Sequence, residues 1–392
     1  MVLRTEWVSH ELSDYGILKD NVFWRGCFYF MPRVLTQNLI PGMVVAEDVY
    51  TYNNQLVLLK DTELTDKSIT KLEFYSILSV RVKEESATGT PLEEIPREEM
   101  TYSQRIKSSP EYKEFKQNFE GAVEDFKGQV NSLLTVSKGS KVDTDGLLKD
   151  TNEILQKTPS GLQIFDMLHN MRMYDDPTFA HCMNVALICH VFGRWLGMPD
   201  RDVDTLTVAG MLHDIGKLKI PEQILGKPAK LTDDEYQVIK THTVEGYNIL
   251  KDLDMDEHIK NAALMHHERC DGSGYPLGLT GDRIDDFAKI VSIADVYDAM
   301  TSARVYRGPL CPFKVIGIFE SEGLQKYDSK YILTFLEYIV NSYVNNRVLL
   351  SNGLEGDIVL INKLDLSHPM VHCGSHYIDL SHEHGLYVEA IL

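Results

Sequence analysis

The chain has 392 residues and a formal net charge of -19 at pH 7, with 43% hydrophobic and 25% charged residues. These proportions are typical of a globular protein of two or three domains. The acidic excess argues against DNA, RNA or an anionic membrane as a bulk partner, because such binding needs clustered lysine and arginine. The six cysteines form no C-x-x-C pair, and no apolar run suits a membrane span or an export signal. We therefore expect a protein of a reducing cytoplasm.

The first hundred residues predict a small α+β module and a linker. Residues 1–30 carry aromatic side chains without sustained periodicity, and we treat them as an uncertain extension that can be disordered. Residues 31–82 predict short strands around one helix at Asp66–Tyr75, with Thr65 as its N-cap. Residues 83–100 contain two prolines and many acidic side chains, which indicates a solvated linker.

Helical periodicity continues from residue 101 to residue 345, without β-α-β alternation. Thr232 and Glu235 predict a capping box at the start of a helix over Asp233–Leu250. Residues 346–392 change to a period of two, broken by turn signals such as Asn352-Gly353, and predict a small all-β module. The predicted fold is therefore mainly α: a helical bundle with a small α+β N-terminal module and a small all-β C-terminal module.

Histidine and aspartate residues recur on the predicted helices of this bundle. Their helical spacing places them with core-facing side chains; the residues are His181, His213, Asp214, His242, His266, His267 and Asp295. A lone histidine on an apolar face is usually a core residue with a hydrogen-bond partner, and His266-His267 alone would also suit a surface. Burying the whole set without compensation would cost several kcal/mol, whereas two divalent cations would satisfy every member.

The donor set indicates the chemistry. Asp214 is suited to bridge two metals because a carboxylate has two oxygens. Imidazoles together with carboxylates favour Fe, Mn or Zn over Mg or Ca. Two such metals about 3.5–4 Å apart would hold a bridging hydroxide for in-line attack on a phosphoester. Lys217, one turn beyond the His213-Asp214 pair, suits a phosphate oxygen.

Two motifs in this region resemble the signatures of the HD-GYP phosphodiesterases. They are Leu-His-Asp-Ile-Gly-Lys-Leu at 212–218 and His-His-Glu-Arg-Cys-Asp-Gly-Ser-Gly-Tyr-Pro at 266–276. Further matching segments extend the resemblance over residues 178–327. It implies an HD-type bundle in a bacterial enzyme that hydrolyses cyclic di-GMP to linear pGpG, in some members onward to GMP, with iron or manganese as the expected metals.

The resemblance also implies roles for individual residues. One metal would be held by His181, His213, Asp214 and Asp295, and the second by Asp214, His242, His266 and His267. Asp214 and Lys217 would be the catalytic residues. Substrate contacts are implied for Lys217, Gly274, Tyr275, Pro276, Asp298, Arg304 and Arg307. For the last three, a solvated helix end is the alternative interpretation.

This sequence departs from the family at one position. Members with three metals carry a glutamate one helical turn before the first histidine, where this chain has Pro177. Because proline cannot coordinate a metal, we expect two metals. Asp175 and Asp176 lie close enough to keep a third site open.

The flanking modules carry no evident catalytic residue. Residues 31–82 are similar to a small module found before HD-GYP domains. The C-terminal module crowds six histidine and cysteine residues into a short stretch, but their spacing matches no standard zinc pattern. We expect turns and strand surfaces to explain them; they are His368, His372, Cys373, His376, His382 and His384.

Other functions remain open. The pocket residues do not decide between guanine and adenine, so cyclic GMP-AMP is an alternative substrate. A catalytically weak receptor would bind cyclic di-GMP, or a diguanylate cyclase, through the loop at 274–276, but the complete two-metal set argues against that function. The charged helices before the core suit a homodimer.

Overall fold

A computed structural model describes residues 33–36, 39–50, 56–74, 77, 79–83, 106–158, 161–171, 177–227, 231–302, 310–374, 376–383 and 385–392. The predicted extension and nearly all of the predicted linker lie outside these ranges. The described residues fall into two compact units, one before residue 108 and the other after it. None of the helices in these ranges is long and apolar enough to cross a lipid bilayer.

The first unit is a small α+β module, as predicted. Strand β1 (Arg33–Leu35) pairs antiparallel with β4 (Ser79–Arg81), and β2 (Val49–Tyr50) pairs antiparallel with β3 (Leu56–Leu58). Helix α1 (Asp66–Phe74) packs its apolar side into a core that includes Leu64, Ile69 and Val80. The predicted N-cap is confirmed, because the Thr65 hydroxyl accepts a hydrogen bond from the backbone N–H of Ser68 at 3.3 Å.

The second unit is mainly α-helical, which confirms the predicted fold class. Its helices are α2 (Pro110–Leu133), α3 (Thr144–Lys157), α4 (Gly161–Asn170), α5 (Pro177–Trp195), α6 (Asp200–Leu212), a 3-10 helix (Ile215–Lys219), α7 (Glu222–Leu225), α8 (Asp233–Lys240), α9 (His242–Leu250), α10 (Glu257–Met265), α11 (Asp286–Thr301), α12 (Pro312–Ile318), a π-helix (Phe319–Gly323), α13 (Leu324–Lys326) and α14 (Ser329–Ser342).

Helices α5 and α11 form the centre of the bundle. Their described side chains are buried over most of their length, which explains why both helices are apolar around much of their circumference. Aromatic rings join them to their neighbours: Phe192 of α5 lies 4.9 Å from Phe335 of α14, which lies 5.1 Å from Tyr297 of α11, by ring centroids. This packing fixes two of the helices that carry candidate ligands.

The predicted helix over Asp233–Leu250 is wrong in its length. The capping box of Thr232 and Glu235 is present, but the chain breaks at Thr241, whose N–H bonds to the carbonyl of Val238 in a tighter turn. Helix α8 buries none of its residues, whereas α9 buries His242 at its first position. The break therefore separates a surface helix from one that enters the core.

A five-stranded antiparallel sheet closes the chain and confirms the predicted all-β module. Its order is β8-β7-β6-β5-β9, formed by β5 (Arg347–Leu350), β6 (Glu355–Leu360), β7 (Met370–Cys373), β8 (His376–Asp379) and β9 (Val388–Ile391). The Glu320 carboxylate accepts hydrogen bonds from the backbone N–H groups of Leu366 and Ser367 at 2.6 and 3.1 Å. In this module His368 bonds to Asp365, and His372 stacks on Tyr377; His384 lies outside the described residues.

Candidate metal centre

Three imidazoles are oriented by main-chain carbonyls of their own helical turns. Their Nδ1 atoms donate to oxygens three or four residues earlier, at 2.7–3.0 Å; the pairs are His213 with Gly210, His242 with Ile239, and His266 with Ala262. Because each Nδ1 carries the proton, each Nε2 presents a lone pair. All three side chains are buried, so these lone pairs point into the protein interior.

Asp214 lies between two groups of histidines. Its Oδ2 lies 3.3 Å from Nε2 of His213 and 3.6 Å from Nε2 of His181. Its Oδ1 lies 3.2 Å from Nε2 of His242 and 3.7 Å from Nε2 of His266. Each oxygen of one buried carboxylate thus faces a different pair of imidazoles.

A close backbone contact brings these groups together. Asp214 directly precedes the 3-10 helix, and Gly216 in that helix lies against the start of α9. A Cβ at Gly216 would come within 1.8 Å of the carbonyl oxygen of His242. Only glycine permits this approach without moving the backbone.

The potential ligand atoms form three overlapping clusters. One contains His181, His213 and Asp295; a second contains His242, His266 and His267; and the third contains Asp214 together with His213 and His266, one member of each of the other two. Within each cluster the ligand atoms lie no more than 4.8 Å apart. The structure thus brings all seven sequence-predicted metal residues to one place.

The clusters suit a divalent metal. Nε2 of His213 and Oδ1 of Asp214 are buried without a hydrogen-bond partner. Leaving such atoms unsatisfied costs about 1–3 kcal/mol each, which a bound cation would remove. Mixed imidazole and carboxylate donors are those that transition metals prefer.

The electrostatics favour the protonation states that coordinate metals. Burial opposes ionisation of Asp214, but the Lys217 ammonium holds the pKa of Asp214 well below its usual value. Burial also lowers the pKa of His267 to about 3. The carboxylate is therefore charged and the imidazole neutral near pH 7, as metal binding requires.

The comparison with protein families identifies this region. Residues 150–331 match the HD domain family. This matched segment, slightly less than half of the chain, is similar to HD domains. The matched range contains every residue of the three clusters, so the candidate centre lies within the segment that is similar to HD domains.

Curated relatives align with the same region. A cyclic di-GMP phosphodiesterase of Pseudomonas aeruginosa is 35% identical over 182 residues, which are 45% of this chain and 43% of the relative. A 3′3′-cGAMP-specific phosphodiesterase of Vibrio cholerae is 41% identical over 145 residues, 37% of this chain and 34% of the relative. A cyclic di-GMP phosphodiesterase of Thermotoga maritima is 37% identical over 181 residues, 45% and 48% of the two chains. The chain thus spans less than half the length of each relative.

A carboxylate other than Asp214 orients His181. Nδ1 of His181 donates to Oδ2 of Asp298 at 2.6 Å, while Asn184 and Ser302 each donate to Oδ1 of Asp298 at 3.0 Å. Burial alone would lower the pKa of His181, but its hydrogen bonds to Asp295 and Asp298 raise that pKa to about 9. A metal at Nε2 of His181 would therefore displace a proton.

These contacts assign a structural task to Asp298, whose contact with substrate stays a prediction. Its side chain is buried and accepts three hydrogen bonds from protein groups, one of which orients His181. The other residues predicted beside it, Arg304 and Arg307, lie outside the described residues, as do Asp175 and Asp176. Pro177 is the first residue of α5, one turn before His181.

The predicted substrate loop lies beside the second histidine cluster. The Tyr275 ring stacks on His267 with centroids 4.7 Å apart, and Pro276 follows across a cis peptide bond. Gly274 lies so close to the preceding segment that a Cβ there would come within 2.4 Å of backbone atoms of Glu268 and Arg269. The Lys217 ammonium pairs with Oδ2 of Asp214.

Sequence reasoning missed the residue that holds this loop in place. The Glu268 carboxylate is buried and accepts hydrogen bonds from the N–H groups of Leu277, Gly278 and Leu279 at 2.7, 3.1 and 2.9 Å. A buried carboxylate with three backbone donors is a rigid anchor. Its position directly after His266-His267, inside the second motif, was the signal that would have found it.

Proposed function

We propose that the HD domain is a metal-dependent phosphodiesterase that hydrolyses cyclic di-GMP to linear pGpG. The observation that carries the proposal is Asp214, which faces one histidine pair with each carboxylate oxygen. This arrangement suits two adjacent cations, the pattern used for in-line displacement at phosphorus. The similarity to cyclic di-GMP phosphodiesterases supports the choice of substrate.

The proposed cofactors are two divalent metals, iron or manganese. The first set of ligands comprises His181, His213, Asp214 and Asp295, and the second comprises Asp214, His242, His266 and His267. Bound metals would supply Lewis-acid activation of the phosphate and of the attacking water. The neutral imidazole of His267 supports this assignment, as do the carboxylates of Asp214 and Asp295, whose pKa values lie well below the usual range.

Around the metals, each remaining residue has a proposed task. Lys217 offers its ammonium to an oxygen of the scissile phosphate, a role supported by its place beside Asp214. Gly274, Tyr275 and Pro276 form a wall of the substrate site, supported by the stacking of Tyr275 on His267. Glu268 keeps that wall in position through its backbone hydrogen bonds.

The proposal is tested by product analysis. The protein is purified without oxygen, loaded with Fe(II) or Mn(II), and incubated with cyclic di-GMP, and the nucleotides are separated by chromatography. We expect pGpG from the wild type and a rate about a thousandfold lower from Asp214→Ala. Intact cyclic di-GMP in the wild-type reaction, with metal content verified, would refute the proposed activity.

Cyclic GMP-AMP is the second candidate substrate, favoured by the 41% identity to a cGAMP-specific phosphodiesterase. Turnover of both dinucleotides by the same sample, compared as kcat/KM, decides between them. A ratio above about ten in either direction would identify the preferred substrate.

The organisation around the HD domain is also a proposal. It comprises an extension (1–30), a regulatory module (31–82), a linker (83–100), a catalytic domain (101–345) and a β module (346–392), and the separate compact unit before residue 108 supports the second of these. A homodimer through α2 and α3, and an interaction with diguanylate cyclases, stay predictions. Light scattering of the purified chain tests the dimer.

A further inference from the structure

A second lysine lies beside the candidate centre and was not singled out by the sequence motifs. Lys240 is the last residue of α8, two positions before His242. Its ammonium lies 5.1 Å from the ring centroid of Tyr275 and 4.9 Å from that of Tyr236. Lys240 is close to the second histidine cluster in two ways. It lies two positions before His242 in the sequence, and its ammonium contacts Tyr275, the ring that stacks on His267.

The backbone next to Lys240 takes part in a hydrogen bond with a candidate metal ligand. The carbonyl of the preceding residue, Ile239, accepts the hydrogen bond that orients His242. A shift of Lys240 along the helix would therefore disturb a candidate metal ligand. The ammonium itself is placed by its contacts with Tyr236 and Tyr275.

In the part of the chain that the structure describes, the Lys240 ammonium contacts two aromatic rings and forms no ion pair. Lys217 and Lys227 pair with Asp214 and Glu235, whereas no described carboxylate forms such a pair with Lys240. Contact with an exposed aromatic face stabilises an ammonium by about 0.5–1 kcal/mol and uses none of its N–H donors in a conventional hydrogen bond. Lys240 thus keeps three donors for an anion.

The two lysines contact different groups of the centre. Lys217 contacts the Asp214 oxygen that faces His181 and His213, while Lys240 lies over the ring that stacks on His267 of the other cluster. A cyclic dinucleotide carries two phosphodiesters, of which only one is attacked at a time. An ammonium is a compact point charge that suits a phosphate oxygen better than a base edge.

We propose that Lys240 binds the second, uncleaved phosphate of the cyclic dinucleotide, with the rings of Tyr236 and Tyr275 holding its ammonium in place. This inference rests on the proposed function. Because the contact is made to a phosphate, it contributes equally to cyclic di-GMP and cyclic GMP-AMP. Lys240 therefore selects for a cyclic dinucleotide as a class and leaves the choice of base to other residues.

The test measures binding apart from turnover. A phosphorothioate analogue of cyclic di-GMP that resists hydrolysis is titrated into Mn(II)-loaded wild type, Lys240→Met and Lys240→Arg, and into the control Lys251→Met, which removes an exposed lysine bonded to Asn248. We expect Lys240→Met to raise Kd about tenfold to a hundredfold. Lys240→Arg should stay within about threefold of the wild type, as should Lys251→Met.

Two further readouts separate this role from a structural one. With hydrolysable cyclic di-GMP and cyclic GMP-AMP, Lys240→Met should raise KM by the same factor for both while metal content per chain stays that of the wild type. Wild-type-like binding in Lys240→Met, loss of bound metal in that variant, failure of Lys240→Arg to restore affinity, or no binding by the wild type would overturn the inference. Wild-type protein that binds the analogue but leaves cyclic di-GMP intact would instead contradict the proposed hydrolysis alone.

Discussion

The carbonyl oxygens of Gly210, Ile239 and Ala262 determine which nitrogen each of three imidazoles presents to the centre. Helical spacing predicts that these histidines face inward, but it does not predict which ring nitrogen points into the centre. The two motifs contain four of the seven candidate ligands, and the structure brings all seven close together. Asp298 lies outside those motifs, and its role became visible only from its hydrogen bond with His181.

Asp298 provides a prediction about metal affinity. Asp298→Asn keeps the size of the side chain but removes the charge that orients His181, so metal affinity should fall about tenfold to a hundredfold. Competition with a chelator measures this affinity. The control is Asp286→Asn, an exposed residue on the same helix. Equal metal affinities in the two variants would show that Asp298 does not contribute to metal binding.

His190 gives the bundle a defined pH dependence. Burial lowers its pKa from 6.5 to about 4, and its Nδ1 bonds to Thr207 at 3.2 Å. Between these values the unfolded chain binds the proton more readily, so this residue contributes stability above pH 6.5 that is lost as pH falls toward 4.

Thermal unfolding in chelator between pH 7 and pH 5 tests this expectation. The Tm of the wild type should fall more steeply than that of His190→Gln, which has no group to protonate. Parallel curves would show that His190 is not a source of the acid sensitivity.

Among the secondary-structure elements, two features could not be predicted from the sequence: the break at Thr241 and the path of the loop after His267. Residues 233–250 have continuous helical periodicity, and only the packing of α9 against the 3-10 helix requires a change of direction at residue 241. The contacts of Glu268 and Lys240 likewise depend on the path of the loop through 274–279. Composition and periodicity do not encode such a path.

Gly274→Ala tests the importance of that path. The added methyl group would lie 2.4 Å from backbone atoms, which cannot move as a flexible side chain does, so the loop must shift. We expect kcat/KM for cyclic di-GMP to fall about tenfold to a hundredfold while metal content is kept. Gly121→Ala, where nothing lies within 4 Å of the new Cβ, is the matched control; equal activity in both variants would show that the loop tolerates displacement.

At the scale of the whole molecule, the N-terminal module has its own hydrophobic core, and every candidate ligand lies in the other compact unit. Metal binding should therefore stabilise one unit only. The sequence predicted this division from a change in composition and periodicity near residue 100, where two prolines and acidic side chains interrupt the pattern.

Calorimetry of the full chain tests the separation. We expect two unfolding transitions, and addition of Mn(II) should raise the Tm of one by mass action while the other stays fixed. Asp214→Asn should abolish the shift. A single transition, or an equal shift of both, would show that the units unfold together.

The central claim, a hydrolytic centre with two metals bridged by Asp214, is tested most directly by titrating Mn(II) into metal-free protein while the rate of cyclic di-GMP hydrolysis is followed. We expect no hydrolysis without metal and a rate that rises to a plateau at two ions per chain. Hydrolysis that persists in chelator, or intact substrate after two ions are bound, would contradict it.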